Sequence, residues 1–314
     1  MAGLNVSLCF FFATFALCQA ARRVSKALLP AGAYASFARE AAGAAQLGAC
    51  CLEMRMLVEL GPWAGGFGPD LLLTLLLLLF LVHGATFDGA SANPAVSLQE
   101  LLLAEASLLG TLLKLAAQGL GMQAACILTR LYWSWELNDL HVLQNLMAEH
   151  CSSALSTTVP HGTLVEGACA FFFHLTLLRF RNSLPIYRVP AVALLVTVMA
   201  YTAGPFTSAF FNPALAASVT FHCSGHTLLE YAQVYWLGPL TEEPVLQSKE
   251  QVSSPQREAS PRAWRHPDAR RGVQRPRAWA TWGGAAATEL QLSLHSPCEH
   301  HTRVGSPGWT LKPP

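Results

Sequence analysis

The sequence carries little charge. It has 20 Lys and Arg and 19 Asp and Glu in 314 residues, together 12% of the chain, whereas soluble globular domains carry about 25%. Ten of the 20 basic residues fall in the last 74 positions, so the first 240 residues are poorer still in charge. Such a chain lacks the polar surface of an ordinary soluble protein, and its composition favours an integral membrane protein.

Other features that would mark a functional class are also missing. The net charge is +1, and no basic stripe is interleaved with aromatic residues, so nucleic acid is not an expected partner. The apolar segments hold neither an H-E-x-x-H motif nor a nucleophile–His–acid arrangement, so we expect no enzyme and no catalytic, cofactor or metal site. The nine Cys do not resemble a secreted disulfide framework. We expect those in apolar runs to be small buried hydrophobes: Cys9, Cys18, Cys126 and Cys169.

What the sequence does have is a series of long apolar runs. A bilayer core takes about 20 residues of helix. A sixth run extends only from Leu228 to Leu240, which at about 1.5 Å per residue covers roughly 20 Å of a core about 30 Å thick. We therefore expect a truncated sixth membrane helix. The five longer runs lie at about 3–20, 70–85, 101–132, 161–180 and 188–206.

The segments around the first run allow more than one interpretation. The run has the length and small-residue end of a signal peptide but lacks the basic n-region. We expect it to remain as a helix, with cleavage as the alternative. Residues 41–55, between the first two runs, are interpreted as an unusually long loop that an insertion would explain.

Cytosolic loops carry an excess of Lys and Arg. In this chain two groups of basic residues favour opposite orientations. With five full runs and a cytosolic N-terminus, the loop between the fourth and fifth runs is cytosolic, but the basic cluster after the first run faces the other side. The loop residues are Arg179, Arg181 and Arg188, and the cluster is Arg22, Arg23 and Lys26.

The amino-acid composition changes at Thr241. The segment 241–314 is rich in Pro and Arg and has no apolar run, a composition typical of disorder. Its cluster at 298–301 (Cys-Glu-His-His) could bind a metal only if a folded scaffold positioned the ligands. We interpret this segment as a solvated tail.

One tripeptide, Asn-Pro-Ala, occurs twice: at Asn93, Pro94 and Ala95, and at Asn212, Pro213 and Ala214, 119 residues later (212 minus 93). Asn is a favoured N-cap and Pro a favoured first helical residue. Each copy therefore predicts the start of a helix, and the apolar segment that follows is too short to cross a membrane.

Two half helices that start inside a bilayer must be surrounded by protein or water, because unpaired backbone groups are too costly in lipid. If they meet near the midplane, their positive N-terminal ends and the amides of Asn93 and Asn212 face one another. Such a centre donates hydrogen bonds to a neutral solute and opposes cations. An odd number of crossings in each half also produces an inverted repeat.

With these features together, the first 240 residues resemble the aquaporin (major intrinsic protein) family, most closely its divergent superaquaporin branch. The resemblance rests on both Asn-Pro-Ala boxes, on "AAQGLGMQAACIL" (116–128), on Glu166 in "LVEGACAFFFHL", and on "YWLGPL" (235–240). It implies an all-α membrane protein with an aquaporin-like inverted repeat, two re-entrant half helices and half-repeats at about 1–135 and 150–240. It also implies that Glu166 supports the loop that carries a box.

The same resemblance locates a selectivity filter, and at one filter position this chain differs from the family. The family usually has Arg directly after the second box, whereas this chain has Leu215. By the family's spacing the filter positions are Leu73, Ala200, Ala209 and Leu215, all apolar. A filter of this kind offers few hydrogen bonds and would be wide, or so hydrophobic that it dewets.

The family resemblance also supplies the expected function. It implies a passive channel for water and small neutral solutes such as glycerol or peroxide, in a homotetramer within a lipid bilayer, and an intracellular membrane such as the endoplasmic reticulum or vesicles. It also implies a cytosolic N-terminus, and we follow that arrangement here. The alternative is a non-conducting truncated form with a structural or regulatory role.

Overall fold

The computed structural model describes residues 2–30, 32–147, 151 and 153–241. The tail prediction for 241–314, Thr241 apart, and the cluster at 298–301 lie outside the described residues. Within the described part the regular elements are helices, without a strand. The prediction of an all-α fold is confirmed.

Apolar helices make up most of the chain. Five of them, α1, α3, α5, α7 and α8, are long and apolar enough to cross a membrane, which confirms the five predicted runs. A π-helical turn, Gly61–Gly65, extends α2, and another, Gln233–Leu237, joins α10 to α11. The helices are α1 (Ala2–Leu28), α2 (Ala33–Leu60), α3 (Pro69–Thr86), α4 (Pro94–Leu102), α5 (Leu108–Trp133), α6 (Asp139–Met147), α7 (Val159–Arg179), α8 (Pro185–Thr207), α9 (Pro213–Val219), α10 (Leu228–Ala232) and α11 (Gly238–Thr241).

The helix α2 corrects the interpretation of residues 41–55 as a loop. These residues lie inside α2, whose 28 residues reach about 42 Å. Hydropathy misses this helix because charged and amide side chains interrupt it. In the fold those side chains are covered: Glu40, Gln46 and Glu53 have no exposed surface. Their partners lie on other helices and, for Glu40, also on the loop before α4, so the polar groups can be tolerated away from water.

Small residues allow α2 and α5 to pack closely. Ala117, Gly121 and Ala125 lie on one face of α5 and are buried, as the spacing by four predicts. A side chain at Gly121 would collide with the backbone carbonyl of Ala41. The second half contains a matching contact, since a Cβ on Gly238 would lie 2.8 Å from the carbonyl oxygen of Thr163. The helix α11 therefore crosses α7 much as α5 crosses α2.

Buried polar contacts attach α1 to the rest of the bundle. The hydroxyl of Ser7 donates to Glu53 Oε1 at 2.6 Å, and the indole N–H of Trp133 donates to Glu53 Oε2 at 2.7 Å. Toward the other end of α1, Arg22 Nη2 donates to Gln46 Oε1 at 2.5 Å. Arg22 is only 2% exposed. The first run is thus packed into the fold through specific side chains along most of its length.

Because α2 runs antiparallel to α1 along the bundle, the two basic groups do not lie on opposite sides as the sequence suggested. Lys26 forms an ion pair with Asp88, just after α3. The end of α3 meets the start of α8, where a Cβ on Gly84 would touch Val189 at 2.6 Å. The end of α1 therefore lies on the same side as the turn between α7 and α8, and the earlier expectation is wrong.

We predict that replacing Ser7 with Ala destabilises the bundle. The buried carboxylate of Glu53 would lose a donor, at a cost of about 1–3 kcal/mol. Ser25→Ala is the matched control, because the Ser25 hydroxyl bonds only within α1, to the carbonyl of Arg22 at 2.9 Å. Thermal unfolding in detergent measures the difference, and equal melting temperatures for the two variants would show that α1 is not anchored through Ser7.

Candidate functional site

Both Asn-Pro-Ala boxes start short helices, as predicted. Asn93 is the N-cap of α4, and its Oδ1 accepts from the backbone N–H of Ala95 at 3.0 Å. Asn212 is the N-cap of α9, and its Oδ1 accepts from Ala214 and Leu215 at 3.2 and 3.3 Å. With nine and seven residues, these helices are too short to cross a bilayer. The cap bonds also fix which way each amide nitrogen points.

The two boxes exchange hydrogen bonds. Asn93 Nδ2 donates to the carbonyl of Phe211 at 3.1 Å, and Asn212 Nδ2 donates to the carbonyl of Ala92 at 2.8 Å. Each amide thus bonds to the residue that precedes the other box. Both asparagines are buried, at 3% and 4% exposure. The N-terminal ends of α4 and α9 consequently meet at one point, where their partial positive charges add.

This exchange requires an unusual backbone. Ala92 and Phe211 have φ angles of +50° and +35°, a region that costs a non-glycine residue about 1–3 kcal/mol. Both residues immediately precede an Asn, so the same distortion occurs at the same place in each half. The turn points each carbonyl across the site at the opposite amide.

Two buried carboxylates hold these turns. Glu166 Oε1 accepts from the N–H of Phe210 at 3.1 Å, and Oε2 accepts from Phe211 at 2.6 Å. The carboxylate thus binds the strained residue and its predecessor, and these charge-assisted bonds offset the backbone strain. The contact is the one expected of Glu166 from the family resemblance.

Glu40, on α2, makes the equivalent pair of bonds in the first half. It accepts from the N–H of Ser91 at 3.0 Å and of Ala92 at 3.1 Å. Sequence reasoning missed Glu40 because α2 was interpreted as a loop. A signal was present: Glu40 and Glu166 are each followed by four small residues, "EAAGA" and "EGACA". The two glutamates thus mark corresponding helices, α2 and α7.

The four predicted filter positions lie around one cavity of about 530 Å³, which we call the filter cavity. Leu73 and Ala200 reach it from α3 and α8, Ala209 from the loop before α9, and Leu215 from α9. The structure therefore brings together residues that lie up to 142 positions apart (215 minus 73). Most of the surrounding side chains are apolar.

A second cavity of about 250 Å³ contains Asn93 and Asn212, and we call it the asparagine cavity. It shares five lining residues with the filter cavity, which therefore lie between the two. We call them the constriction. Four are large and apolar and the fifth is a buried histidine: Phe80, His83, Phe210, Phe211 and Leu215.

A disulfide bond lies toward the end of the helical bundle that is opposite to the end with Lys26. Cys151 and Cys223 are joined, which is an exception to the expectation of unpaired Cys. His222 lies beside the pair, and the three could group around a metal. Because the two sulfurs are bonded to each other, they do not serve as thiolate ligands there. The predicted buried Cys126 and Cys169 are free and buried, whereas Cys9 is exposed and Cys18 half-buried.

Sequence comparison agrees with this geometry. The model of the family described as "Major intrinsic protein" matches residues 66–242. The chain belongs to the major intrinsic protein family. It is 77% identical to Aquaporin-12 of Mus musculus over 240 residues, which is 76% of this chain and 83% of that protein. It is 34% identical to Aquaporin-11 of Equus caballus over 204 residues, 65% of this chain and 73% of the relative. The similarity to both confirms the superaquaporin branch.

As a member of this family, the protein is a membrane channel protein and not an enzyme. The family model begins at residue 66, after both α1 and α2. The helices α2, α3, α4 and α5 correspond in order to α7, α8, α9 and the segment from α10 to α11.

We predict similar losses of stability for Glu40→Gln and Glu166→Gln. Glutamine keeps one acceptor oxygen and presents an NH₂ group to the other loop N–H, so one buried donor loses its partner, at about 1–3 kcal/mol. Glu136→Gln is the control, because the side chain of Glu136 is exposed. Chemical unfolding in mixed micelles measures all three variants. A large loss for only one buried glutamate would contradict the equivalence of the halves.

Proposed function

We propose that the protein is a passive channel for water and small neutral solutes such as glycerol or peroxide. The observation that supports this most is the exchange of hydrogen bonds between the two boxes, in which Asn93 and Asn212 each donate to the carbonyl that precedes the other. It uses one N–H of each amide and fixes the direction of the other. A passing oxygen atom then meets two oriented donors in the asparagine cavity.

The same centre would discriminate against cations. The N-termini of α4 and α9 place partial positive charge at the meeting point, and an aquaporin-type barrier excludes protons and cations by such charge. Neutral molecules can accept from the amides without opposing this field. The proposal thus derives both passage and exclusion from one pair of residues.

The proposed filter is formed by Leu73, Ala200, Ala209 and Leu215. Two small and two aliphatic side chains leave space but supply few polar contacts. This composition supports passage of solutes larger than water. The constriction adjoins this filter, shares Leu215 with it and contains three phenylalanines.

The constriction also favours the alternative function, a non-conducting protein with a structural or regulatory role. A narrow apolar segment can exclude liquid water altogether. In that case the hydrogen bonds of Asn93 and Asn212 would stabilise the fold and would have no role in transport. Flux measurements separate the two proposals.

We predict that a double variant, Asn93→Ser with Asn212→Ser, reduces osmotic water flux in vesicles by roughly tenfold, the equivalent of one hydrogen bond of about 1.4 kcal/mol. Serine keeps the N-cap acceptor but is too short to donate across the site. Asn145→Ser is the control, because its amide bonds the carbonyl of Trp133 at 2.9 Å, away from both boxes.

Stopped-flow swelling measures these fluxes. Wild-type vesicles that swell no faster than empty ones would support the non-conducting alternative. Flux equal in the double variant and the wild type would contradict the proposed role of the asparagines.

We further propose an orientation with a non-cytosolic N-terminus, in an intracellular membrane such as the endoplasmic reticulum or vesicles and in a homotetramer. Eight of the ten basic residues before position 240 lie toward the end that holds Lys26 and Arg188, which favours that end as cytosolic. The disulfide lies toward the other end, and disulfides persist in oxidising compartments. The eight are Arg22, Arg23, Lys26, Arg39, Lys114, Arg179, Arg181 and Arg188.

We predict that an N-glycosylation acceptor peptide added before Met1 is glycosylated in microsomes, because α1 starts on the side of the disulfide. The same peptide inserted in the turn between α7 and α8 stays unmodified. The reverse pattern would overturn this orientation. Loss of the N-terminal peptide in a shortened product would instead indicate signal-peptide cleavage.

A further inference from the structure

The helix α2 presents one face to the filter cavity. Six of its residues line that cavity at spacings of one, three, one, three and one: Cys50, Cys51, Met54, Arg55, Val58 and Glu59. This is the periodicity of a single helical face. Sequence reasoning assigned the filter to α3, α8 and the second box, and it did not include α2, which was interpreted as a loop.

Two of these residues carry the charge of the cavity wall. Among its lining residues, all of them in the described part of the chain, Arg55 and Glu59 are the only Lys, Arg, Asp or Glu. Arg55 Nε bonds Glu59 Oε1 at 2.6 Å, and the side chains are 18% and 44% exposed. The arginine is thus held mostly buried, one helical turn from its carboxylate.

Arg55 also lines an adjoining cavity of about 210 Å³ that contains Arg130 and His222. Burial and the nearby cations, Arg130 and then Arg55, lower the pKa of His222. Its imidazole lies beside Arg130 Nη2 at 2.9 Å. Arg55 therefore lies between the filter cavity and this adjoining cavity, since it lines both.

We propose that Arg55 is a selectivity-determining residue of the filter cavity. It supplies, from α2, the cationic donor that Leu215 does not supply from α9. This inference rests on the proposed channel function and names the solute class for the same pathway.

The solute class follows from the wall. Leu73, Ala200 and Ala209 offer an apolar surface, and Arg55 with Glu59 offers one polar contact at its edge. A small neutral polyol such as glycerol has an apolar carbon side and hydroxyl groups that fit both surfaces. A monovalent cation meets the positive charge of Arg55 before it reaches the constriction.

The experiment measures water, glycerol and methylammonium flux in vesicles that contain the full chain. Arg55→Met is expected to raise methylammonium flux on the order of tenfold and to lower the ratio of glycerol to water flux. Arg130→Met is the matched control, because Arg130 lines only the adjoining cavity. Arg55→Lys keeps the charge and should keep the cation barrier.

A rescue variant tests whether an arginine on α9 can replace the arginine on α2. Adding Leu215→Arg to Arg55→Met should restore the barrier to methylammonium, because both side chains line the filter cavity. Glu59→Gln alone should lower methylammonium flux below that of the wild type, because it removes the carboxylate that neutralises Arg55. This variant gives a result even if Arg55→Met does not fold.

The outcomes separate this inference from the proposed function. If the wild-type chain passes no water, the channel proposal itself fails. If water passes but the Arg55 and Glu59 variants leave the methylammonium flux and the glycerol ratio unchanged, only the role of Arg55 is overturned. An equal effect of Arg130→Met would also overturn it, because the charge would then act without a position in the filter cavity.

Discussion

The rest of the molecule depends on a reciprocal pair of hydrogen bonds, from Asn93 to the carbonyl of Phe211 and from Asn212 to the carbonyl of Ala92. Each amide reaches the carbonyl before the other box, so neither loop can hold its position without the other. This mutual dependence explains why two short helices can begin inside an apolar bundle. Backbone groups at such a place need protein partners, since lipid offers none. Each box supplies them to the other.

The surrounding helices make that contact possible. Glu40 and Glu166 bind the strained turns from opposite sides, and both carboxylates lie on helices that carry small residues next to them. A second helix crosses each of them closely through a glycine, with Gly121 against Ala41 in one half and Gly238 against Thr163 in the other. Polar support and close packing therefore come from the same two helices, α2 and α7. The described part of the last helix, which ends at Thr241, already includes its crossing with α7.

The parts of this fold that local patterns determine could be predicted from the sequence. The caps at Asn93 and Asn212, the five apolar runs and the small-residue face of α5 each depend on neighbouring residues alone. The helix α2 could not be found in this way, because Glu40, Gln46 and Glu53 are tolerated only through partners on other helices. Since α2 was missed, so were Glu40 as the twin of Glu166, Arg55 at the filter cavity and the shared side of the basic residues. The pairing of Cys151 with Cys223 likewise depends on a tertiary contact across 72 positions.

The central claim is that the two boxes stabilise each other, and a double-mutant cycle tests it most directly. The free energies of unfolding of Asn93→Ser, Asn212→Ser and the double variant would be measured in mixed micelles. Residues in one hydrogen-bond network show coupling of about 0.5–3 kcal/mol, and the account predicts a value in that range, with the second substitution costing less than the first. Additive losses, to within about 0.3 kcal/mol, would contradict it, because the two loops would then be held independently.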